Sequence, residues 1–159
     1  MQNNVTKYLI FVVLILFSVK TISRNMAWHD NTTLFFTDVK VSSNSAKINN
    51  ACGGTLVDAA KLSPIQKNKL DSMNLAKPYL WKAIKINPRY SEAWLLLGNS
   101  YLLGNKDYDS VLICLDSCLK INPHYGNALN NIKVLFNEWK NSAKEIRSEE
   151  HTSELQSRF

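Results

Sequence analysis

The phrase IKINPRY, Ile84 to Tyr90, returns as LKINPHY, Leu119 to Tyr125, with the two copies 35 residues apart. A fixed period of that size marks stacked supersecondary units that bury their apolar faces only against one another. Pairing at the same offset continues outside the phrase: Ala76 with Val111, Leu80 with Leu115, Ala83 with Cys118, Ala93 with Ala128, and Tyr101 with Phe136. Size class is kept where packing would need it.

Between the copies, Ala93, Trp94, Leu97, Gly98 and Tyr101 fall at helical spacing on one stripe. Gly104 and Asn105 interrupt it. A second stripe runs through Tyr108, Val111, Leu112, Leu115, Cys118 and Leu119 until Asn122-Pro123, where proline stops a helix. Each unit reads as a helix, a tight turn and a second helix. The pattern resembles the tetratricopeptide repeat, with Trp94, Leu97, Gly98, Tyr101, Tyr108, Val111, Cys118 and Pro123 at the signature positions. That resemblance implies an all-α solenoid, a close helix contact at Gly98, and Cys118 where the family usually has alanine. The unit exceeds the family's period of roughly 34 residues by one, most simply through an insertion in the Gly104 to Asp107 turn.

The flanks carry weaker units. Ser45 to Lys61 reads as the first helix of an earlier repeat, with Gly53 as its small contact, and Ser63-Pro64 as the following turn. Ala76 to Ile86 would be the second helix, although Pro78 in its interior should cost roughly 3 kcal/mol or a kink. Asn127 to Trp139 repeats the first-helix pattern again, giving about two and a half repeats in all.

At the N-terminus, Tyr8 to Val19 is apolar and uncharged, and the stretch extends from Val5 to Ile22 with Lys7 and Lys20 near its edges, where their ammonium groups can snorkel. In a helix that length rises about 27 Å, close to the roughly 30 Å hydrocarbon core. A single membrane span is expected. The rival, a secretory signal, lacks a small-x-small cleavage site after Val19. Orientation stays open, with Lys7 before the span and Lys20 and Arg24 after it. At the other end, Arg147 to Ser157 (RSEEHTSELQS) resembles the in-frame translation of a common sequencing adapter, and is set aside from the fold as a tag would be. Removing it leaves a rest more basic than the whole chain's +6. The expected organisation is a span with flanks at 1–23, a juxtamembrane segment at 24–43, repeats at 44–146 and the adapter-like tail at 147–159.

The juxtamembrane segment mixes Arg24 with Trp28, Phe35 and Phe36, as interfacial segments do. Its plain reading is a helix that seats the first repeat on the bilayer. Arg24-Asn25, Trp28, Asp30-Asn31, Leu34-Phe35 and Ser45-Ala46-Lys47, following an apolar span, resemble the last membrane helix and tetratricopeptide region of polytopic mannosyltransferase-like proteins. That family includes the cadherin-directed transmembrane O-mannosyltransferases. The resemblance implies that glycosyl transfer from a lipid-linked sugar takes place among earlier membrane helices, so no catalytic residue carries over to this sequence. It also implies repeats on the extracytoplasmic side that help present acceptor proteins.

No constellation of side chains reads as catalytic. Cys114 and Cys118 lie four apart on one helix face without a third ligand nearby, whereas tetrahedral zinc takes four, so they read as small core residues. Cys52 is remote in sequence, and three cysteines build no disulfide framework. His29, His124 and His151 accompany no nucleophile, and Gly53-Gly54 falls inside a helix rather than in a phosphate loop. Sequons stand at Asn4 and Asn31, triplets that are common by chance. Lysines 61, 67, 69, 77, 82, 85 and 106 are dispersed, which argues for solvated faces over nucleic acid, with anionic lipid near Lys20 and Arg24 as a second possibility. The sequence therefore predicts no cofactor, no metal and no catalytic residue.

It predicts a binding module instead. By family position, the concave surface of first helices would carry Lys47, Asn50, Glu92, Leu95, Asn99, Asn127 and Asn130, whose amides can hydrogen-bond an extended protein or peptide. Simple solvated surface is the equal alternative for these positions. At the level of the whole protein, a fragment of a mannosyltransferase-like membrane protein stands against a stand-alone repeat scaffold, membrane-anchored or secreted.

Overall fold

The doubled phrase folds twice into the same turn. Asn87 donates its backbone N–H to the Ala83 carbonyl at 2.9 Å, and Asn122 donates to Cys118 at the same distance. The Asn87 side chain then accepts from the Arg89 N–H at 3.2 Å, as the Asn122 side chain accepts from His124 at 3.3 Å. Tyr90 and Tyr125 each donate back to the asparagine carbonyl at 3.1 Å. Asparagine closes an Asx turn while the proline after it fixes φ and cannot extend the helix. The repeated sequence is thus a repeated helix stop and restart.

A computed structural model describes residues 2–156, with side chains at 4–26 and 28–141. Among the described residues the chain is all-helical, with no strand. The elements are α1 (Gln2–Met26), a 3₁₀ turn (Ala27–His29), α2 (Asn31–Val41), α3 (Ala46–Leu62), α4 (Gln66–Ile86), α5 (Ser91–Gly104), α6 (Tyr108–Ile121) and α7 (Gly126–Gln156). Helices α3 with α4 and α5 with α6 form two successive hairpins, α4 packs on α5, and α7 packs on α6. This is the architecture of a helical repeat array behind one apolar N-terminal helix.

Two clusters make the core. The first joins Val57 and Ala60 of α3, Met73, Ala76, Leu80, Ala83 and Ile84 of α4, Ala93 and Leu97 of α5, and Cys114 of α6. The second joins Leu95 of α5 to Val111, Leu115 and Cys118 of α6 and to Ala128 and Leu135 of α7. Helix α5 feeds both, so it is buried on two faces. Four of the five offset pairs are buried on both sides: Ala76 and Val111, Leu80 and Leu115, Ala83 and Cys118, Ala93 and Ala128. Tyr101 is half-buried but its partner Phe136 is exposed.

Both expected small contacts are tight. A Cβ on Gly53 would fall 2.5 Å from Leu80 Cγ, and one on Gly98 would fall 3.2 Å from Cys114 Cβ. In the turn after α5, Lys106 adopts φ 52°, a left-handed conformation that favours glycine. Asp107 then caps α6, its side chain accepting from the Ser110 N–H at 3.2 Å and the Ser110 hydroxyl at 2.7 Å.

The structure departs from the sequence reading at three helices. Helix α4 begins at Gln66, ten residues before the expected Ala76, and runs through Pro78. Pro78 and Asn74 are both exposed, so the Asn74 carbonyl that loses its intrahelical donor faces water. Leu112, read as part of the buried α6 stripe, is 46% exposed. Helix α7 continues to Gln156, well past Trp139, because no glycine or proline follows Gly126 to stop it.

The segment between α1 and the hairpins is structured. Asp30 caps α2, accepting from the Thr33 N–H and hydroxyl, both at 2.8 Å. Helix α2 docks on α3, the Cys52 thiol donates to the Phe35 carbonyl at 3.3 Å, and Phe36 meets Tyr79 of α4 edge-on at 5.7 Å. An Arg24–Asp38 ion pair at 3.0 Å ties the end of α1 to α2. Residues Asn4–Met26 of α1 form a helix long and apolar enough to cross a membrane, and none of that stretch is buried in the protein.

Candidate binding groove

Helices α3, α5 and α7, the first members of their units, share one face because each hairpin places its second helix on the other side. Two adjoining depressions lie along that face. One, of about 470 Å³, is lined by Asn31, Thr32 and Phe35 of α2, by Asn50, Gly54 and Asp58 among the residues of α3, and by Glu92 and Leu96 of α5. The other, of about 610 Å³, is lined by Lys61 of α3, by Glu92, Leu95, Leu96 and Asn99 of α5, and by Tyr125, Asn127, Asn130 and Asn131 at the start of α7. Glu92 borders both.

Five of the seven expected positions therefore meet in one depression: Glu92, Leu95, Asn99, Asn127 and Asn130. Asn127 and Asn130 are exposed, leaving their amides open to a ligand. Asn99 is half-buried and accepts a 2.6 Å hydrogen bond from the Asn131 amide, which links α5 to α7 across 32 residues of sequence. Leu95 is 5% exposed and spends its side chain on the second cluster, so it contributes only an apolar floor. Asn50 lies in the neighbouring depression at 5% exposure, and its amide donates to the Tyr90 hydroxyl at 3.4 Å. Its carbonyl oxygen is buried with no hydrogen-bond partner. Lys47 is exposed on the first turn of α3 and lines neither depression.

Sequence reasoning passed over Asn131, Tyr90, Tyr125 and Lys61. The tyrosines had a signal, since they close the two copies of the repeated phrase. Burial pushes both hydroxyls above their ordinary pKa, and the Glu92 carboxylate beside them adds to the shift. Both phenols thus stay protonated, as donors, at neutral pH. Asn131 had no such signal; only the rotation of α7 decides which of the adjacent Asn130 and Asn131 turns toward Asn99.

The cysteines stand apart from this face. Cys114 and Cys118 are 2% and 0% exposed inside the clusters. Burial, with a smaller contribution from Asp107, pushes the Cys114 thiol up to about 12, so it packs as a small neutral residue.

No protein-family model matches the chain. It is 34% identical over 89 residues to the Protein O-mannosyl-transferase Tmtc3 of Drosophila melanogaster. The aligned region is 56% of this chain but 9% of that protein, so the chain spans under a tenth of the relative it matches. The chain is thus distantly similar to a short segment of a protein O-mannosyl-transferase.

Proposed function

We propose that the chain is a membrane-tethered tetratricopeptide-type module that holds an extended protein segment along α3, α5 and α7, as part of a mannosyltransferase-related membrane protein. The observation that carries this reading is the depression where Glu92, Asn99, Asn127 and Asn130 converge from two helices of different repeats. Asparagine amides offer a donor and an acceptor together, which is what an extended backbone presents in return. Fixing Asn99 through Asn131 holds one such amide in place before a ligand arrives. The similarity to Protein O-mannosyl-transferase Tmtc3 supports the link to glycosyl transfer, whose chemistry this reading places elsewhere in the whole protein. In that setting α1 is the anchor, the repeats face the extracytoplasmic side, and their role is to present acceptor protein.

The test is peptide selection. A library of unstructured twelve-residue peptides is panned against the full chain in lipid nanodiscs, and the selected peptides are titrated against the parent and the Asn99→Ala/Asn127→Ala variant. Binding weakened about tenfold or more in the variant is expected, about 1.4 kcal/mol for the loss of two amides. Equal binding to both proteins would overturn the groove assignment. Whether the module belongs to a transferase is read separately from the transcript upstream of Met1. Further in-frame hydrophobic spans are expected there, and a stop codon immediately before Met1 would rule the transferase out.

A further inference from the structure

The two depressions along α3, α5 and α7 share Glu92, and their charged lining is Asp58, Lys61 and Glu92. The Lys61 ammonium is taken up by Asp58 at 2.9 Å, and among the described residues no ion pair reaches the Glu92 carboxylate. Two phenols stand near it instead. Burial first, and then the charge of Glu92, raises the pKa of both Tyr90 and Tyr125. A neutral phenol can donate to a carboxylate but cannot cancel its charge. In a chain of net charge +6 the groove is therefore a local anionic spot.

A second feature points the same way. Asn50 of α3 lines the first depression at 5% exposure, its amide donating to the Tyr90 hydroxyl at 3.4 Å while its carbonyl oxygen has no partner. A buried polar atom without a partner is rare enough to need a reason. Here the orphan on α3 is an acceptor, and the carboxylate on α5 without a counter-charge is an acceptor as well. Both call for donors, and a guanidinium or an ammonium group carries nothing else.

We propose that the depression between α2, α3 and α5 receives a basic side chain, arginine or lysine, of the segment bound along the groove, with its positive charge set against Glu92. This rests on the groove reading given above and adds what the bound segment must carry. The peptides panned against the full chain supply the test, with the nanodiscs made of phosphatidylcholine and the library first depleted on empty discs. The selected peptides are expected to share an arginine or lysine. Replacing it by citrulline or norleucine, neutral analogues of similar length, should weaken binding to the parent about tenfold but change binding to Glu92→Gln by less than about twofold, because both neutralisations remove one interaction. Asp116→Asn removes a negative charge from α6, outside the lining of both depressions, and should leave affinity within about twofold of the parent. Glu92 is exposed, so Glu92→Gln should keep the parent's melting curve, and Glu92→Ala replaces it if it does not. Peptides that weaken with Asn99→Ala/Asn127→Ala yet carry no basic residue, or tolerate its neutralisation, would overturn the charge assignment and leave the groove in place. Peptides indifferent to Asn99→Ala/Asn127→Ala, or no saturable binding at all, would overturn both. Equal losses in Glu92→Gln and Asp116→Asn would also overturn the assignment, since overall charge alone would then account for them.

Discussion

The seam between α4 and α5 and the seam between α6 and α7 occupy equivalent places one repeat apart, yet among the described residues one is closed and the other open. At the first, Gly104 lets α5 approach so closely that a Cβ there would lie 3.5 Å from Met73 Cβ. At the second, Trp139 stands in place of that glycine and Tyr108 in place of the methionine, and both are exposed. Backbone periodicity sets where a seam falls. Side-chain size, together with the helix laid over it, decides whether the seam closes. The array is therefore uniform in its turns and individual in its seams.

The largest effect that separates the two seams should come from truncating each at the matched position. Met73→Ala removes a fully buried side chain and should cost about 2–5 kcal/mol, whereas Tyr108→Ala should cost under about 1 kcal/mol. Chemical denaturation of the two variants measures the difference, and equal losses would mean that the second seam is closed in solution. Within the hairpins, the close contacts should rank next. Gly53→Ala drives a Cβ against the buried Leu80 and should cost about 1–3 kcal/mol, while Gly98→Ala should come out near neutral because alanine gains up to about 1 kcal/mol of helix propensity. Gly98→Leu overpacks the Cys114 contact and should cost about 1–3 kcal/mol or more. Unchanged melting midpoints for Gly53→Ala and Gly98→Leu would count against the repeat register.

Smaller effects should appear in the turn between α5 and α6. Lys106→Gly relieves a left-handed backbone and should stabilise by up to about 1 kcal/mol, with the midpoint of thermal unfolding moving up. Asp107, like Asp30, has its pKa held below 3.8 by hydrogen bonds from the residues it caps, Ser110 in one case and Thr33 in the other. A lowered folded-state pKa contributes stability that is present above 3.8 and is lost as pH falls through the folded value. The melting temperature should therefore begin to drop below about pH 4, and Asp107→Asn should flatten that decline while keeping the cap.

Legibility in the sequence followed the kind of information each element carries. The turns were readable because asparagine and proline act locally, and the same three backbone and side-chain bonds close both copies. The first hairpin was half readable: Gly53 and Ser63-Pro64 were seen, but α4 was shortened because Pro78 argued for a break that an exposed position does not require. Leu112 was misplaced because helical spacing cannot tell a stripe buried against neighbours from one left at an open edge. Helix α2 was read as a juxtamembrane helix seating the first repeat, but not its contacts, since its docking depends on Phe35 and Phe36 meeting α3 and α4, contacts with no sequence period. In the candidate groove, five expected positions converge, yet Asn131 and the two tyrosines gain their places through rotation and burial that no offset reveals.

Cysteine accessibility tests the contrast between the two seams most directly. The three native cysteines are at most 2% exposed, so a bulky maleimide should find little background in the folded chain. Met73→Cys and Tyr108→Cys place a new thiol at the same repeat position on the closed and the open seam. Rapid native labelling of the Tyr108→Cys thiol, with labelling of the Met73→Cys thiol only on denaturation, is the result this account expects. Equal native rates at the two positions would contradict it.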